Sequence, residues 1–333
     1  MTTTKNLPII SIAESELAVQ QQISQVTYDT RNLYVNAATA NSTRQAYQTD
    51  IAHFEAWGGV LPASPSVVIA YLQYFAVKLN PRTLSRRLVA LKHWHVYQGF
   101  VDPTQSPLVK KVIQGIHRLH GTPKNKAQAL TLDQLILIHN SLKDQDSLHA
   151  LRDNALFQIG FFGAFRVSEL LAIHIEDLKI TPEGLRIVIP RSKTDPSGQG
   201  QFCAIPSGDE TICPIRTLNI WLEKSHIQQG AVFRFISRWQ RIGQTAISTL
   251  TVNRILKKYA EQLNFPNPAL FSSHSLRRGL ATAASQQGAS LKAIMRQGRW
   301  KEVRTVLGYI DEANAFQDNA AQILLQKNIS HNG

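Results

Sequence analysis

Apolar residues recur every three or four positions through the first part of the chain, and glycine or proline interrupts them. This period is typical of amphipathic α-helices that bury one face. The apolar stripes of four successive segments are Tyr47, Ile51 and Phe54; Val68, Tyr71, Leu72, Phe75 and Leu79; Leu84, Leu88 and Leu91; and Val109, Val112, Ile113, Ile116 and Leu119. Ser42 is a candidate cap of the first helix, and Pro81 ends the second. The pattern predicts a helical domain over 26–120.

The pattern changes after residue 120. The segment 121–128 is polar and basic and contains helix breakers, so it is predicted to be a linker. Beyond it, an apolar stretch over 151–178 predicts two packed helices, and further helices are expected from Pro214, Thr251, Ser275, Ser290 and Val303. Two short apolar runs, 185–190 and 202–206, flank turn-forming residues and predict an antiparallel hairpin. The expected fold class is therefore mainly α, with one small antiparallel β-sheet in the second domain.

Positive charge is concentrated in one part of the sequence. The formal net charge is +13, and residues 80 to 127 contain nine Lys or Arg and one acid, Asp102. A local excess of cations is what binding to a nucleic-acid backbone requires. An ordinary solvated helix face is the alternative explanation. The candidate DNA-contact residues are Arg82, Arg86, Arg87, Lys92, Lys110, Lys111, Lys124 and Lys126.

Several other classes of protein are disfavoured. The two cysteines, Cys203 and Cys213, have no partner His or Cys at zinc-ligand spacing, so they are predicted to be buried free thiols in a reducing cytoplasm. We find no acidic triad at metal-ligand spacing. No stretch of about 18 apolar residues occurs, so no membrane span is expected, and the N-terminus does not resemble a signal peptide.

Three short motifs carry candidate chemistry. Arg166 and Glu169 are three positions apart in an apolar stretch, where they are expected to share a helix face; a buried structural ion pair explains them as well. His274 and Arg277 have the same spacing at a predicted helix start, and a basic helix surface is the alternative. Further on, Gly-x-Trp300 and Tyr309 would each also fit a packed core.

The order of these pieces is more specific than any one of them. An Arg-x-x-Glu motif is followed by a lysine in a hairpin, then His-x-x-Arg, then Gly-x-Trp, then a tyrosine nine residues after the tryptophan. This set resembles the tyrosine recombinase (phage integrase) family. A tryptophan where the family more usually has a second histidine makes the chain similar to Cre-like members. The resemblance covers about 125–325, and the helical region 26–120 resembles the family's core-binding (SAM-like) domain.

Seven residues receive roles by this resemblance. They are the nucleophile Tyr309; the phosphate-clamping Arg166 and Arg277; the proton acceptor His274; the general acid Lys193; the phosphate-binding Trp300; and Glu169, which orients the clamp. The chemistry suits these side chains, because planar guanidinium groups bind phosphate oxygens in pairs. A tyrosine hydroxyl, with an ordinary pKa near 10, needs positive charge and a base in order to attack. Arg299 departs from the family, which often has a small residue before the tryptophan.

The resemblance also implies partners and a domain plan. The partners are a specific double-stranded DNA site and further copies that form a tetramer on it; no cofactor, metal or ATP is expected. The plan is a flexible arm (1–25), a core-binding domain (26–120), a linker (121–128) and a catalytic domain (129–333). A C-terminal helix containing Phe316, Ala320, Ile323 and Leu324 either docks on a neighbouring copy or caps its own domain. A type IB topoisomerase and an inactive DNA-binding regulator remain the alternative functions.

Overall fold

The computed structural model describes residues 38–123, 126–189, 200–313 and 321. Several predictions fall outside these residues: the arm, Lys124, Lys193 at the hairpin tip, and the C-terminal docking helix. The described residues form two compact units, one up to residue 123 and one from residue 126.

The described residues of the first unit include four α-helices. They are α1 (Asn41–Ala56), α2 (Pro65–Phe75), α3 (Pro81–Tyr97) and α4 (Pro107–His120). The last three begin with proline, whose fixed φ and missing N–H suit the first helical position. Side chains of Ser64 and Asn80 cap α2 and α3. The prediction that Ser42 caps α1 is wrong, because the helix already includes Asn41 and the residue before it makes no side-chain cap.

The core of the first unit follows the predicted stripes. Its fully buried members include Phe54, Val68, Tyr71, Leu72, Leu84, Leu91 and Val109. One position of the predicted stripes differs: Leu119 is 81% exposed. It lies in the last turn of α4, where its side chain is not covered, so helical period alone overestimates the length of the buried face.

The second unit is built around α6. Its helices are α5 (Leu132–Leu142), α6 (Leu148–Phe162), α7 (Val167–Leu171), α8 (Pro214–Ser225), α9 (Thr249–Gln262), α10 (Ser273–Gln286), α11 (Leu291–Gly298) and α12 (Val303–Ala313). Nearly every residue of α6 is buried, because α5, α8 and α10 pack on different sides of it. The polar residues of α6 are buried as well and bond to one another: Arg152 donates to Asp153, and Gln158 donates to Asn154.

The described residues of the second unit also form two small antiparallel sheets. Strands β1 (Leu178–Thr181), β2 (Gly184–Ile189) and β3 (Gln201–Pro206) form one, and β4 (Arg234–Ile236) and β5 (Ile242–Ala246) the other. The predicted hairpin is confirmed as the β2–β3 pair, with Ile187 opposite Cys203. The mainly α fold class is also confirmed, although one sheet was expected rather than two. Cys203 and Cys213 are buried free thiols, and no helix among the described residues is long and apolar enough to cross a membrane.

Candidate active site

Arg166 lies at the junction between α6 and α7. The chain leaves α6 through Gly163 and Ala164, whose φ is +44°, and Arg166 then adopts an extended conformation before α7 begins. The expectation that Arg166 and Glu169 share a helix face is therefore wrong, since Arg166 precedes the helix. Glu169 instead folds back to accept a hydrogen bond from the Arg166 backbone N–H (3.1 Å) and one from Nη1 of its guanidinium (2.5 Å).

Glu169 is buried between two arginines. Its second partner is Arg299, whose Nη2 lies 3.3 Å from Oε2. Burial by itself raises the pKa of Glu169, but the hydrogen bonds from Arg166 and the charges of Arg299 and Arg166 outweigh burial and hold the pKa below its ordinary value. Glu169 is thus a carboxylate held ionised, and it fixes the orientation of the Arg166 guanidinium.

Arg277 extends from α10 into the interior next to that junction. It is 2% exposed, its Nη1 donates to the Ala164 carbonyl, and its guanidinium lies 4.2 Å from the centre of the Trp300 ring. Burial lowers the pKa of Arg277 to about 9, and the charges of Arg166 and Arg299 add to the effect. Its Nη2 is buried without a hydrogen-bond partner among the described residues. A buried, unsatisfied cationic donor favours binding of an anion there.

Tyr309 lies on α12 and faces the start of α10. Its hydroxyl is 3.2 Å from Nε2 of His274, and its ring centre is 6.2 Å from that of Trp300. Trp300 is held in turn by a close approach of the chain, because a Cβ on Gly298 would lie 1.9 Å from the Trp300 ring. Trp300 thus lies between Arg277 and Tyr309 and packs against both.

A small cavity opens beside the Tyr309 ring. It has a volume of about 260 Å³ and is lined by Lys126, Ala127, Gln128, Ala129, Leu270, Arg278, Thr282 and Tyr309. Arg278 is buried, lies 5.1 Å from the centre of the Tyr309 ring, and donates to the Ala127 carbonyl. Two further cations, Arg278 and Lys126, therefore line the cavity beside the tyrosine, and Lys126 comes from the predicted DNA-contact set.

Six of the seven predicted site residues make contacts that connect them in two groups. Arg166 contacts Glu169, and Arg277, Trp300, Tyr309 and His274 follow one another in space. Lys193 lies outside the described residues. No site role was predicted for Arg278 or Arg299, whose cationic side chains are both buried. The one available signal was their setting, because an arginine amid apolar or small residues at a helix end is costly unless it is paired.

The predicted DNA-contact residues of the first unit differ in exposure. Lys92, Lys110 and Lys111 are exposed, and Arg82 is exposed while donating to the Thr122 carbonyl. Arg86 remains half exposed although it pairs with Asp50 at 2.7 Å.

Arg87 requires a correction. It is only 9% exposed, and its guanidinium contacts buried Asp50, the Tyr71 hydroxyl and His53. The Arg87 guanidinium therefore lies inside the unit rather than on the surface where DNA would bind. The sequence could not reveal this, because Asp50 lies in a different helix. Within the described residues of both units, no group of three His, Cys, Asp or Glu side chains is placed to hold a metal ion.

Comparison with known proteins places these observations in context. The chain matches the phage integrase family over residues 128–315. It is 38% identical over 297 residues to an integrase/recombinase xerD homolog of Selenomonas ruminantium, covering 86% of each chain. It is 24% identical over 278 residues to a tyrosine recombinase XerC of Thermodesulfovibrio yellowstonii, covering 81% of this chain and 85% of that protein.

Two solved structures share the fold. One is a XerH site-specific recombinase bound to palindromic difH substrate in a post-cleavage complex, with a TM-score of 0.62 and 16% identity over 91% of this chain and 84% of that one. The other is a lambda integrase dimer bound to a COC′ core site, with a TM-score of 0.57 and 16% identity over 85% and 75% of the two chains.

Proposed function

The chain belongs to the tyrosine recombinase (phage integrase) family and is a site-specific recombinase, and we propose that Tyr309 is the residue through which it breaks and rejoins DNA. One observation carries this proposal: the Tyr309 hydroxyl lies 3.2 Å from Nε2 of His274, within the reach of a proton transfer. Tyr309 Oη attacks the phosphorus of a backbone phosphodiester, and His274 accepts the phenol proton. The bond from phosphorus to the 5′ oxygen breaks, which leaves a 3′-phosphotyrosine.

The two arginines stabilise the charge that develops in this step. A phosphate bound beside Arg277 supplies the acceptor that its buried Nη2 is without among the described residues. Arg166, held by Glu169, donates to a second oxygen. Preorganised donors of this kind act strongly in a site that excludes water, because they need no reorganisation during the reaction. Trp300 packs against Arg277, and its indole N–H is the third proposed contact to the phosphate.

The remaining parts of the proposal rest on the family. Lys193 protonates the departing 5′ oxygen. Rejoining reverses the chemistry when a 5′ hydroxyl of the partner strand attacks the phosphotyrosine. One phosphodiester is exchanged for another of similar energy, so the reaction needs neither ATP nor a metal ion. Four strands are cut in a complete exchange, which is the reason to propose a tetramer on DNA. The proposed location is a prokaryotic cytoplasm.

The first unit contributes DNA contacts in this scheme. Arg82, Arg86, Lys92, Lys110 and Lys111 present charge at its surface, while Arg87 does not. The XerH relative was solved bound to its difH substrate. We infer by analogy that this chain also binds a specific duplex site, and that the linker and the C-terminal docking helix serve assembly on that DNA.

The decisive experiment traps the covalent intermediate. Fragmented DNA from the source organism is incubated with the protein, and fragments that remain attached after denaturation are sequenced to give the cleavage site. A duplex of that sequence, nicked next to the scissile phosphate, then accumulates adduct because the short 5′ fragment diffuses away. The wild type should form the adduct. Tyr309→Phe should form none, yet bind the same duplex with nearly unchanged affinity, since only one hydroxyl is lost.

Two results would contradict the proposal. Absence of adduct with the wild type would favour an inactive DNA-binding regulator. Loss of DNA binding in Tyr309→Phe would mean that Tyr309 is structural. The topoisomerase alternative is tested separately, because such an enzyme would relax a supercoiled plasmid without the selected site and produce no recombinants.

A further inference from the structure

Arg299 occupies an unfavourable backbone conformation. It follows α11 directly and has φ +55° and ψ +40°, a left-handed geometry that favours glycine because the Cβ of other residues is crowded there. A long, unbranched cation is an unusual choice for this position. Ala164, which accepts the hydrogen bond from Arg277, is a second residue with positive φ beside the same site. Backbone strain of this kind is a reason to look for a functional contact.

The Arg299 side chain is buried, and both of its terminal nitrogens, Nη1 and Nη2, donate hydrogen bonds. It is 6% exposed, and its guanidinium lies 4.7 Å from the centre of the Phe165 ring. Its Nη1 donates to the Gln297 carbonyl at 2.9 Å, and its Nη2 donates to the Gly163 carbonyl at 3.1 Å and to Glu169 at 3.3 Å. Arg299 therefore ties the end of α11, next to Trp300, to the junction from which Arg166 emerges.

Arg299 determines what Glu169 can do. Glu169 Oε1 accepts from the Arg166 guanidinium, while Oε2 accepts from the Arg166 backbone and from Arg299. The other ionisable groups that act on this cluster are Arg277 of α10 and the buried thiol of Cys203 on β3. With both of its oxygens bonded, the Glu169 carboxylate is fixed, and its bond to Nη1 orients the Arg166 guanidinium.

A purely structural role explains less. Glycine would adopt the same backbone without strain, and an apolar side chain would pack on Phe165 without burying a charge. Arginine therefore has two costs here, the strained backbone and the buried charge. Only the hydrogen bonds that arginine makes offset them, and one of these bonds is to Glu169, the carboxylate that orients the phosphate-binding Arg166 guanidinium.

We propose that Arg299 is a positioning residue for strand cleavage: by locking Glu169, it holds the Arg166 guanidinium toward the phosphate that Tyr309 attacks. This inference rests on the proposed function and adds a residue to it. Arg299 does not touch the DNA in this scheme, so its effect is on the rate of the chemical step rather than on affinity for DNA.

The test compares four purified full-length single variants, and one double variant of Arg299 and Glu169, with the wild type. Arg299→Gly removes the side chain and relaxes the backbone, so it should fold. Arg299→Lys keeps the charge but cannot bridge two acceptors as a planar group does. Glu169→Gln keeps the shape but not the charge. Arg296→Ala, an exposed arginine on α11, is the matched control. Single-turnover adduct formation on the nicked duplex, affinity for that duplex and melting temperature are measured for each.

Arg299→Gly should slow adduct formation roughly 10- to 100-fold, the usual cost of losing a supporting contact or displacing a catalytic group slightly. DNA affinity should change by less than about twofold, and Arg299→Lys should recover part of the rate. Because Arg299 acts through Glu169, adding Arg299→Gly to Glu169→Gln should cost little more than Glu169→Gln alone. Fully multiplicative effects would overturn the inference, as would a wild-type rate in Arg299→Gly.

The pH profile separates positioning from simple destabilisation. The charge of Arg299 favours ionised Glu169, so its removal raises the pKa of Glu169. Glu169 is then protonated at a higher pH, and the acid limb of the rate profile moves upward in Arg299→Gly. A lower melting temperature with an unmoved acid limb would show a structural role only. Failure of the wild type to form any adduct would instead overturn the proposed function itself.

Discussion

Replacing Arg277 with lysine tests the phosphate clamp most directly. Arg277 combines three features: burial, a bond from Nη1 to the Ala164 carbonyl, and a buried Nη2 with no hydrogen-bond partner among the described residues. Lysine preserves the charge but offers a single ammonium, which cannot bond the carbonyl and a phosphate oxygen in the geometry of a planar fork. At a pH where the lysine is protonated, the substitution thus removes one well-aimed donor while leaving the positive charge in place.

The size of the effect follows from two contributions. Loss of one preorganised donor to a developing negative charge slows a reaction about 10²- to 10³-fold. The second contribution depends on pH. Burial lowers the pKa of Arg277 from its ordinary value to about 9, and neighbouring Arg166 and Arg299 add to this. Lysine begins lower, at about 10.4, so the same surroundings move the pKa of a lysine here toward neutrality.

The sign of the pH dependence distinguishes the two proteins. A group whose pKa is lowered loses its charge as pH rises through that pKa, so Arg277→Lys should lose a further factor of about ten in rate per pH unit once its lysine is neutral. The wild type retains its charge at Arg277 up to about pH 9. The gap between the variant and the wild type should therefore widen from pH 6 to pH 8.

The assay is single-turnover adduct formation on the nicked duplex, with DNA at saturation so that binding does not limit the rate. Arg296→Lys serves as the matched control, because Arg296 is exposed. If Arg277→Lys cleaves as fast as the wild type at pH 8 and has the same melting temperature, the Arg277 guanidinium does not contact the reacting phosphate. An equal loss of rate at every pH would support the contact between Arg277 and the phosphate. It would contradict the claim that burial lowers the pKa of a lysine at this position.

Two further predictions concern packing and charge. Arg87→Ala should lower the free energy of unfolding by roughly 2 kcal/mol, less than the usual 3–5 kcal/mol for a broken buried pair, because Arg86 still reaches Asp50. It should leave the salt dependence of DNA binding unchanged, whereas Lys111→Ala should reduce that slope by about one without loss of stability; the reverse pattern would contradict the assignment. Gly298→Ala should displace Trp300, lower the free energy of unfolding by about 1–3 kcal/mol and reduce adduct formation in parallel. Wild-type stability by calorimetry together with a wild-type rate of adduct formation would contradict this prediction.

Much of the fold was predictable because local patterns control it. The stripes of α1 to α4 predicted helices at the right places, since a period near 3.6 has one physical meaning when proline and glycine mark its ends. The β2–β3 hairpin was predictable from another local pattern, because turn-forming residues separate two short apolar runs. Strands β1, β4 and β5 were not predicted: each is short, and pairing with a neighbour rather than its own sequence stabilises it.

The sequence by itself determined which residue types are available for chemistry, in an order that resembles one family: Arg166, His274, Arg277, Trp300 and Tyr309. Only the tertiary structure decided how their charges are used. Arg87 and Arg299 read as surface or incidental cations in the sequence, yet both are buried against carboxylates from distant positions. The physical reason is that a charge inside a protein is stabilised by partners brought close in space, and helical or strand periodicity contains no information about which distant segment supplies them.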